Sequence, residues 1–245
     1  MSATVRAVLF DFSATLFHLD EPRRLLDPVL DGVRPPLTAA ERATLIGRVT
    51  AALATPPADR EVSAELRAAY RDRHLDPALH RRVYTWLIRR AGLPYRELAE
   101  RMYDRIVDPA AWRPYPDTVA ALGAVRAAGL SVAVISNIAH DIRPTFVAHG
   151  VDGLVDEMVL SFEQGLVKPD PAIFRVACDR LGVDPADTAV VGDNPDEDGG
   201  IRSLGSRFGE VARQPPEHRP DGLLAALDRI EVPRMAMLAA KVPDA

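Results

Sequence analysis

The 245-residue chain carries 47% apolar residues and a net charge of −5, enough for a real core and too acidic for a nucleic-acid groove. Its single cysteine excludes a disulfide framework and fits a reducing cytoplasm. No stretch has the length and apolarity of a membrane span, and the N-terminus lacks the basic-then-apolar pattern of a secretion signal.

The first predicted element is a strand, Val5 to Phe10, which ends abruptly at Asp11. Buried parallel strands look like this when they deliver a carboxylate to their C-terminal end. In open α/β sheets the ligand crevice lies beyond those ends, so Asp11 is expected at the mouth of a site. From about residue 21 to 112 the periodicity is helical, with no convincing strand. Leu25, Leu26, Val29 and Leu30 share one helical face. Thr38 and Glu41 form a capping-box pattern ahead of a second helix, which Thr55-Pro56-Pro57 breaks. Glu61 to Tyr70 reads as a third helix. Asp76-Pro77 opens a fourth, with the stripe Leu79, Val83, Trp86 and Leu87, and Gly92 ends it. Pro94 opens a fifth, through Leu98, Met102 and Ile106. Trp86 and Tyr84 read as helix-packing residues rather than a substrate pocket.

The proline-rich stretch from Asp108 to Pro116 reads as a connector. Strand and helix then alternate: a helix capped by Asp117, a strand from Leu130 to Ile135 ending at Ser136-Asn137, and a short helix from Asp141 to His149. Met158 to Leu160 is a short strand, Asp170-Pro171 caps a helix through Leu181, and Thr188 to Val191 is a strand ending at Gly192-Asp193. A helix containing Ile201 to Leu204, a strand from Arg207 to Val211 and a helix from Gly222 to Ile230 complete the series. Cys178 falls in an apolar-periodic segment and reads as core. The pattern predicts an α/β fold, a doubly wound parallel sheet, with a helical domain inserted after the first strand. The expected division is residues 1–16 and 114–245 for the core and 17–113 for a cap.

Three strand ends thus carry polar residues, Asp11 with Ser13, Ser136 with Asn137, and Asp193, and parallel strands bring such ends to one edge. Lys168 precedes a helix between the last two. It is one of only two lysines, with Lys241, in an arginine-rich chain, so its position is informative. An aspartate can attack phosphorus or carbon covalently. An ammonium, a hydroxyl and an amide can neutralise a phosphoryl group. Asp11, Asp193 and Asp198 together suit Mg²⁺, a hard cation with oxygen ligands.

In order and type, Asp11-Phe-Ser-Ala-Thr15, Ser136-Asn137, Lys168-Pro169 and Gly192-Asp193-Asn-Pro-Asp-Glu-Asp198 resemble the four signatures of the haloacid dehalogenase-like hydrolases. The helical insertion is similar to that family's cap of the first type. The resemblance implies Asp11 as nucleophile, with Mg²⁺ held by Asp11, the Ser13 carbonyl, Asp193 and Asp198. It implies Thr15, Ser136, Asn137 and Lys168 around the substrate, with Lys168 also orienting Asp11, and a small phosphorylated molecule as that substrate. The acidic charge and the lack of a membrane-length segment argue against nucleic acid and membrane as partners.

One position departs from the pattern. The family's phosphatases carry an acid and base two residues after the nucleophile, and here that residue is Ser13. A hydroxyl cannot replace a carboxylate in a step that typically contributes ~10²–10⁴-fold. Asp196, Glu197 and His18 are the candidates to replace it. Two alternatives stay open beside a weakened phosphatase: a 2-haloacid dehalogenase-like hydrolase, which needs no leaving-group acid, and a weakly catalytic or non-catalytic binding module.

Overall fold

The computed structural model describes residues 4–31, 33–54 and 62–232. Strand β1 (Ala7–Phe10) leads through a tight loop to β2 (Phe17–Leu19). Five helices follow: α1 (Pro22–Leu30), α2 (Ala39–Ala54), α3 (Ala64–Arg71), α4 (Pro77–Arg90) and α5 (Arg96–Val107). Strand β3 (Trp112–Pro114) closes this insertion. The chain then alternates through α6 (Thr118–Ala127), β4 (Ser131–Ser136), α7 (Arg143–Ala148), β5 (Glu157–Leu160), α8 (Ser161–Gln164) and α9 (Pro171–Leu181). It ends through β6 (Thr188–Gly192), a 3-10 segment over Asp198–Leu204, β7 (Arg207–Glu210) and α10 (Gly222–Arg229).

The sheet is parallel, in the order β5-β4-β1-β6-β7. β1 is central, so the ends of β1, β4 and β6 meet where the strand order reverses, the place at which such sheets bind ligands. Alternate residues serve opposite faces. Val8, Phe10, Val132, Val134 and Val191 pack in one core with residues of α6 and α10. Leu9, Ala133, Ile135 and Val190 pack in another against Ile173, Phe174 and the buried Cys178 of α9. The helical insertion has its own apolar core, including Leu26, Val29, Val49, Ile88 and Met102, and Leu19 packs against both.

Local sequence accounts for most helix ends. Thr38 and Glu41 form the reciprocal capping box, at 2.8 Å from the Thr38 N–H to Glu41 and 3.3 Å from the Glu41 N–H to Thr38. The Asp76 carboxylate accepts from the N–H groups of Ala78 and Leu79 at 2.6 and 3.1 Å. Asp170 caps α9, and Gly182 ends it at φ 66°. The break expected at residues 55–57 lies outside the described residues.

Two expectations are corrected. The connector contains β3, which pairs antiparallel with β2, Phe17 opposite Pro114 and Leu19 opposite Trp112. Three-residue strands show no usable period, and these partners are far apart in sequence. Asp117 does not cap its own helix. Its carboxylate accepts from Leu223 and Leu224 at 2.8 and 3.0 Å, capping α10.

Helical insertion and sheet meet across a histidine cluster. His80 of α4 stacks on Tyr84 with centroids 4.1 Å apart, accepts or donates at 2.8 Å with the Tyr103 hydroxyl, and lies 6.0 Å from the rings of both His74 and His140. Ser161, at the start of α8, accepts from the Ile138 N–H at 2.9 Å and donates to the His74 carbonyl at 2.7 Å, joining the two parts. Burial is the main cause that pulls His74 and His80 down to about 3 and His140 to about 4; neighbouring charge lowers the first two further, and Asp141 opposes it at His140. These rings are neutral in the fold, while an unfolded histidine titrates near 6.5. Their contribution is therefore complete above about pH 6.5 and is lost as pH falls towards 3. Urea unfolding is expected to show stability dropping below pH 6.5, with His80 contributing up to ~1.4 kcal/mol per pH unit. His80→Gln should flatten that profile, and an equal slope in wild type and variant would contradict this origin.

Candidate active site

The end of β1 places Asp11 beside the ends of β4 and β6, and the site is assembled around a buried cation. Lys168 is 5% exposed; its Nζ donates to Asp11 Oδ1 at 2.6 Å, Asp198 Oδ1 at 2.6 Å and the Ile135 carbonyl at 3.1 Å. An ammonium has three protons, and all are used. Burial pulls Lys168 down, but Asp11 and Asp198 together outweigh it and hold the group above its ordinary value. It remains charged.

Lys168 is itself held by Asn137. The Asn137 Oδ1 accepts from the Lys168 N–H at 2.7 Å, and its Nδ2 donates to the Lys168 carbonyl and to Glu197 Oε2, both at 3.0 Å. Ser136 closes β4 at 2% exposure. Of the candidate replacements for the missing acid, Glu197 is thus drawn to the site edge, Asp196 is exposed, and His18 lies on the β2 side, edge-on to Tyr115 at 5.1 Å. Ser13 is exposed.

Asp11, Asp193 and Asp198 are all buried and offer ligand oxygens within 4.8 Å of one another. Burial, the largest cause, pushes Asp11 up to about 7; Lys168 pulls it down, and Asp198 and Asp193 push it further up. Carboxylates so close need more positive charge than one lysine supplies. Part of it comes from Arg213, beyond β7, whose Nε donates to Asp193 Oδ2 at 2.6 Å. The other Asp193 oxygen accepts from the buried Thr15 hydroxyl at 3.2 Å. Within Phe12–Leu16 the Ser13 carbonyl alone accepts no hydrogen bond among the described residues. Three carboxylates and that carbonyl make an oxygen donor set of the kind hard cations take.

The seven sequence-predicted side chains at the strand ends, Asp11, Thr15, Ser136, Asn137, Lys168, Asp193 and Asp198, all lie at this edge of the sheet. Arg213 was missed. The signal was available: Val211 follows a parallel strand, so residues just after it belong to the same edge. The Asn137–Glu197 contact carried no sequence signal.

A fold with catalytic-type carboxylates at a parallel sheet's C-terminal edge, and a helical insertion after the first strand, defines a class of hydrolase. The chain belongs to the haloacid dehalogenase-like hydrolases, whose family model matches residues 5–205. It is 36% identical over 132 residues to a phosphoserine phosphatase from Thermus thermophilus, covering 51% of this chain and 52% of that protein. It is 30% identical over 198 residues to a glyceraldehyde 3-phosphate phosphatase from Methanopyrus kandleri, covering 79% and 78%. A solved dehalogenase superposes with a TM-score of 0.62 at 25% identity, covering 89% of this chain and 90% of that one. For several curated relatives the match spans about half of their length.

Gly192 sits where the β6 end meets the Asp198 side chain, and a Cβ there would fall on that carboxylate. Gly192→Ala is therefore expected to displace Asp198 from Lys168 and to cost ~1–3 kcal/mol as overpacking. Denaturant unfolding of the two proteins checks this; equal midpoints would show that the loop yields freely.

Proposed function

We propose that this hydrolase is a Mg²⁺-dependent phosphatase of small phosphorylated molecules, working in the cytoplasm through an aspartyl-phosphate on Asp11. The observation that carries the reading is the buried trio Asp11, Asp193 and Asp198 around Lys168. Displacing halide from carbon needs one nucleophilic carboxylate, and hydrolysing the ester that forms needs at most one base for water, so neither step calls for a third carboxylate beside them. Residues 17–113 act as the cap over a core formed by 1–16 and 114–245.

Asp11, Asp193, Asp198 and the Ser13 carbonyl would hold Mg²⁺. When bound, the cation neutralises charge between the nucleophile and the phosphoryl oxygens. The Asp11 carboxylate attacks phosphorus, the ester P–O bond breaks, and the leaving oxygen takes a proton from water. Water then attacks the phosphorus of the aspartyl-phosphate, and the Asp11 O–P bond breaks to restore the carboxylate and release inorganic phosphate. The proton lost by that water neutralises the hydroxide left from the first step. With every proton engaged, Lys168 orients Asp11. Ser136 would offer its hydroxyl to the phosphoryl oxygens, and Asn137 fixes Lys168. A cleft of about 690 Å³, lined among others by Arg24, Arg113, Tyr115 and Arg213, the hydrogen-bond partner of Asp193, has the size for a small molecule. The phosphatases to which the chain is similar support this substrate class.

The exposed Ser13 favours the second reading, 2-haloacid dehalogenation, because halide leaves without a proton. Turnover of small phosphate esters and 2-chloroacids, with Mg²⁺ or EDTA, separates the two. Phosphate release that EDTA abolishes is expected; EDTA-resistant chloride release without ester turnover would reverse the assignment. Binding of a phosphorylated ligand with no turnover would make the protein a binding module. In calorimetric titration, Asp193→Asn should lose Mg²⁺ binding, and equal binding by both proteins would refute the site.

Ser13 also leaves the second step without its usual base. With an activated aryl phosphate, product should appear as a burst near one equivalent, followed by slow turnover. Intact-mass analysis should show one added phosphoryl group, absent in Asp11→Asn. Ser13→Asp should shrink the burst and raise steady turnover by up to ~10²–10⁴-fold. An unchanged rate in that variant would mean that another group is the base.

A further inference from the structure

The loop between β1 and β2 makes a turn that its sequence does not favour. Ala14 has φ 59°, a left-handed conformation that residues with a Cβ seldom adopt. Such a residue persists where its surroundings over-determine it. The loop's carbonyls lie outside the sheet and need donors. The Phe12 carbonyl accepts from the N–H groups of Leu16 and Phe17 at 3.0 and 2.9 Å. The Leu16 carbonyl accepts from the Thr118 hydroxyl at 2.7 Å and the Tyr115 N–H at 3.0 Å.

Of the three carbonyls between them, those of Ala14 and Thr15 are served by one side chain from the far end of the chain. Arg219 donates to the Ala14 carbonyl at 2.6 Å and the Thr15 carbonyl at 2.5 Å, and also to the Ala212 carbonyl at 3.3 Å. The residue is 3% exposed, its guanidinium lies 3.2 Å over the Tyr115 ring, and a Cβ on Gly222 would come 2.5 Å from its Cγ. Among the described residues no carboxylate lies within ion-pair distance of it. A buried cation paired only with carbonyls and a ring is a costly way to fill space. Its planar fork directs its donors side by side in a fixed geometry, which suits two neighbouring carbonyls better than the spread-out protons of an ammonium.

We propose that Arg219 is a positioning residue for the nucleophile loop: by clamping the Ala14 and Thr15 carbonyls it holds Asp11, the Ser13 carbonyl and the Thr15 hydroxyl in one arrangement around the cation site. This rests on the phosphatase reading for its consequence, metal binding, but not for the clamp itself. The clamp also joins the loop after β1 to the segment after β7. That segment supplies Arg213 to Asp193, so both basic side chains act on the site from one stretch of chain.

Arg219→Lys keeps the charge and removes the fork; Gly222→Ala keeps the arginine and presses on its stem, and serves if the lysine variant does not fold. Two readouts are needed. Amide hydrogen exchange at Leu16 and Phe17, read against the sheet amides of β1, should accelerate roughly tenfold or more in either variant, with global stability accounted for. Mg²⁺ affinity by calorimetry should weaken at least severalfold, and kcat for an aryl phosphate should fall by ~10²-fold with KM little changed. Unchanged exchange at Leu16 and Phe17 overturns the clamp. Faster exchange with wild-type Mg²⁺ affinity overturns its role in positioning the cation site. A wild-type protein that binds no Mg²⁺ refutes the metal reading instead, and the exchange data still decide on Arg219.

Discussion

A single buried ammonium makes the rest of the site possible. Three carboxylates within 4.8 Å of one another would repel strongly if left alone at the end of a sheet. Lys168 joins two of them, Asp11 and Asp198, and a strand-end carbonyl takes its third proton. Removing one member of such a network leaves charge buried without compensation, at about 3–5 kcal/mol. Much of the neighbouring structure can be understood as keeping this arrangement in place. Asn137 grips the Lys168 main chain on both sides of its Cα, and Gly192 leaves room for Asp198.

The sheet was legible because its strands are short apolar runs that end in polar residues. Each predicted core strand is present with its ends moved by a residue or two, as at Leu130 to Ile135 against Ser131–Ser136. The strand-end side chains followed, since parallel strands bring their ends to one edge whatever the loops do. What escaped depends on contacts between distant residues. The pairing of β2 with β3 joins positions nearly a hundred apart, and three residues carry no period. Asp117 looked like the cap of the helix that follows it, and only the packing of α10 gives its carboxylate better donors. The histidines 74, 80 and 140 sit in three separate segments, so nothing local marks them as neighbours.

The two kinds of cation in the site do different work. Lys168 is sealed, with three acceptors for three protons, and stays fixed. Arg213 meets Asp193 through one nitrogen while 70% of its side chain is exposed, so that pair faces screening and competition from solvent. The Lys168 side is thus sealed, while the Arg213 side is where charge can be exchanged with solvent. The cleft lined by Arg213 and Tyr115 lies on that side.

Ser13 stands at the junction of these constraints. Its neighbours are tightly held: Phe12 is fully buried, Ala14 and Thr15 have their carbonyls clamped, and Asp11 is fixed by Lys168. Ser13 itself is exposed, and its carbonyl is left without a partner among the described residues. That free carbonyl belongs to the main chain and is offered whatever side chain residue 13 carries. That separates two properties often assumed to travel together. On the proposed reading, binding of a cation and attack by Asp11 would depend on the loop's backbone and on buried groups. Activation of water in the second step would depend on one exposed side chain, and at that position this sequence carries Ser13. A backbone held this firmly can accept a new side chain at residue 13 without losing the geometry of Asp11, so on the proposed reading the base of the second step can vary while the attacking carboxylate stays fixed.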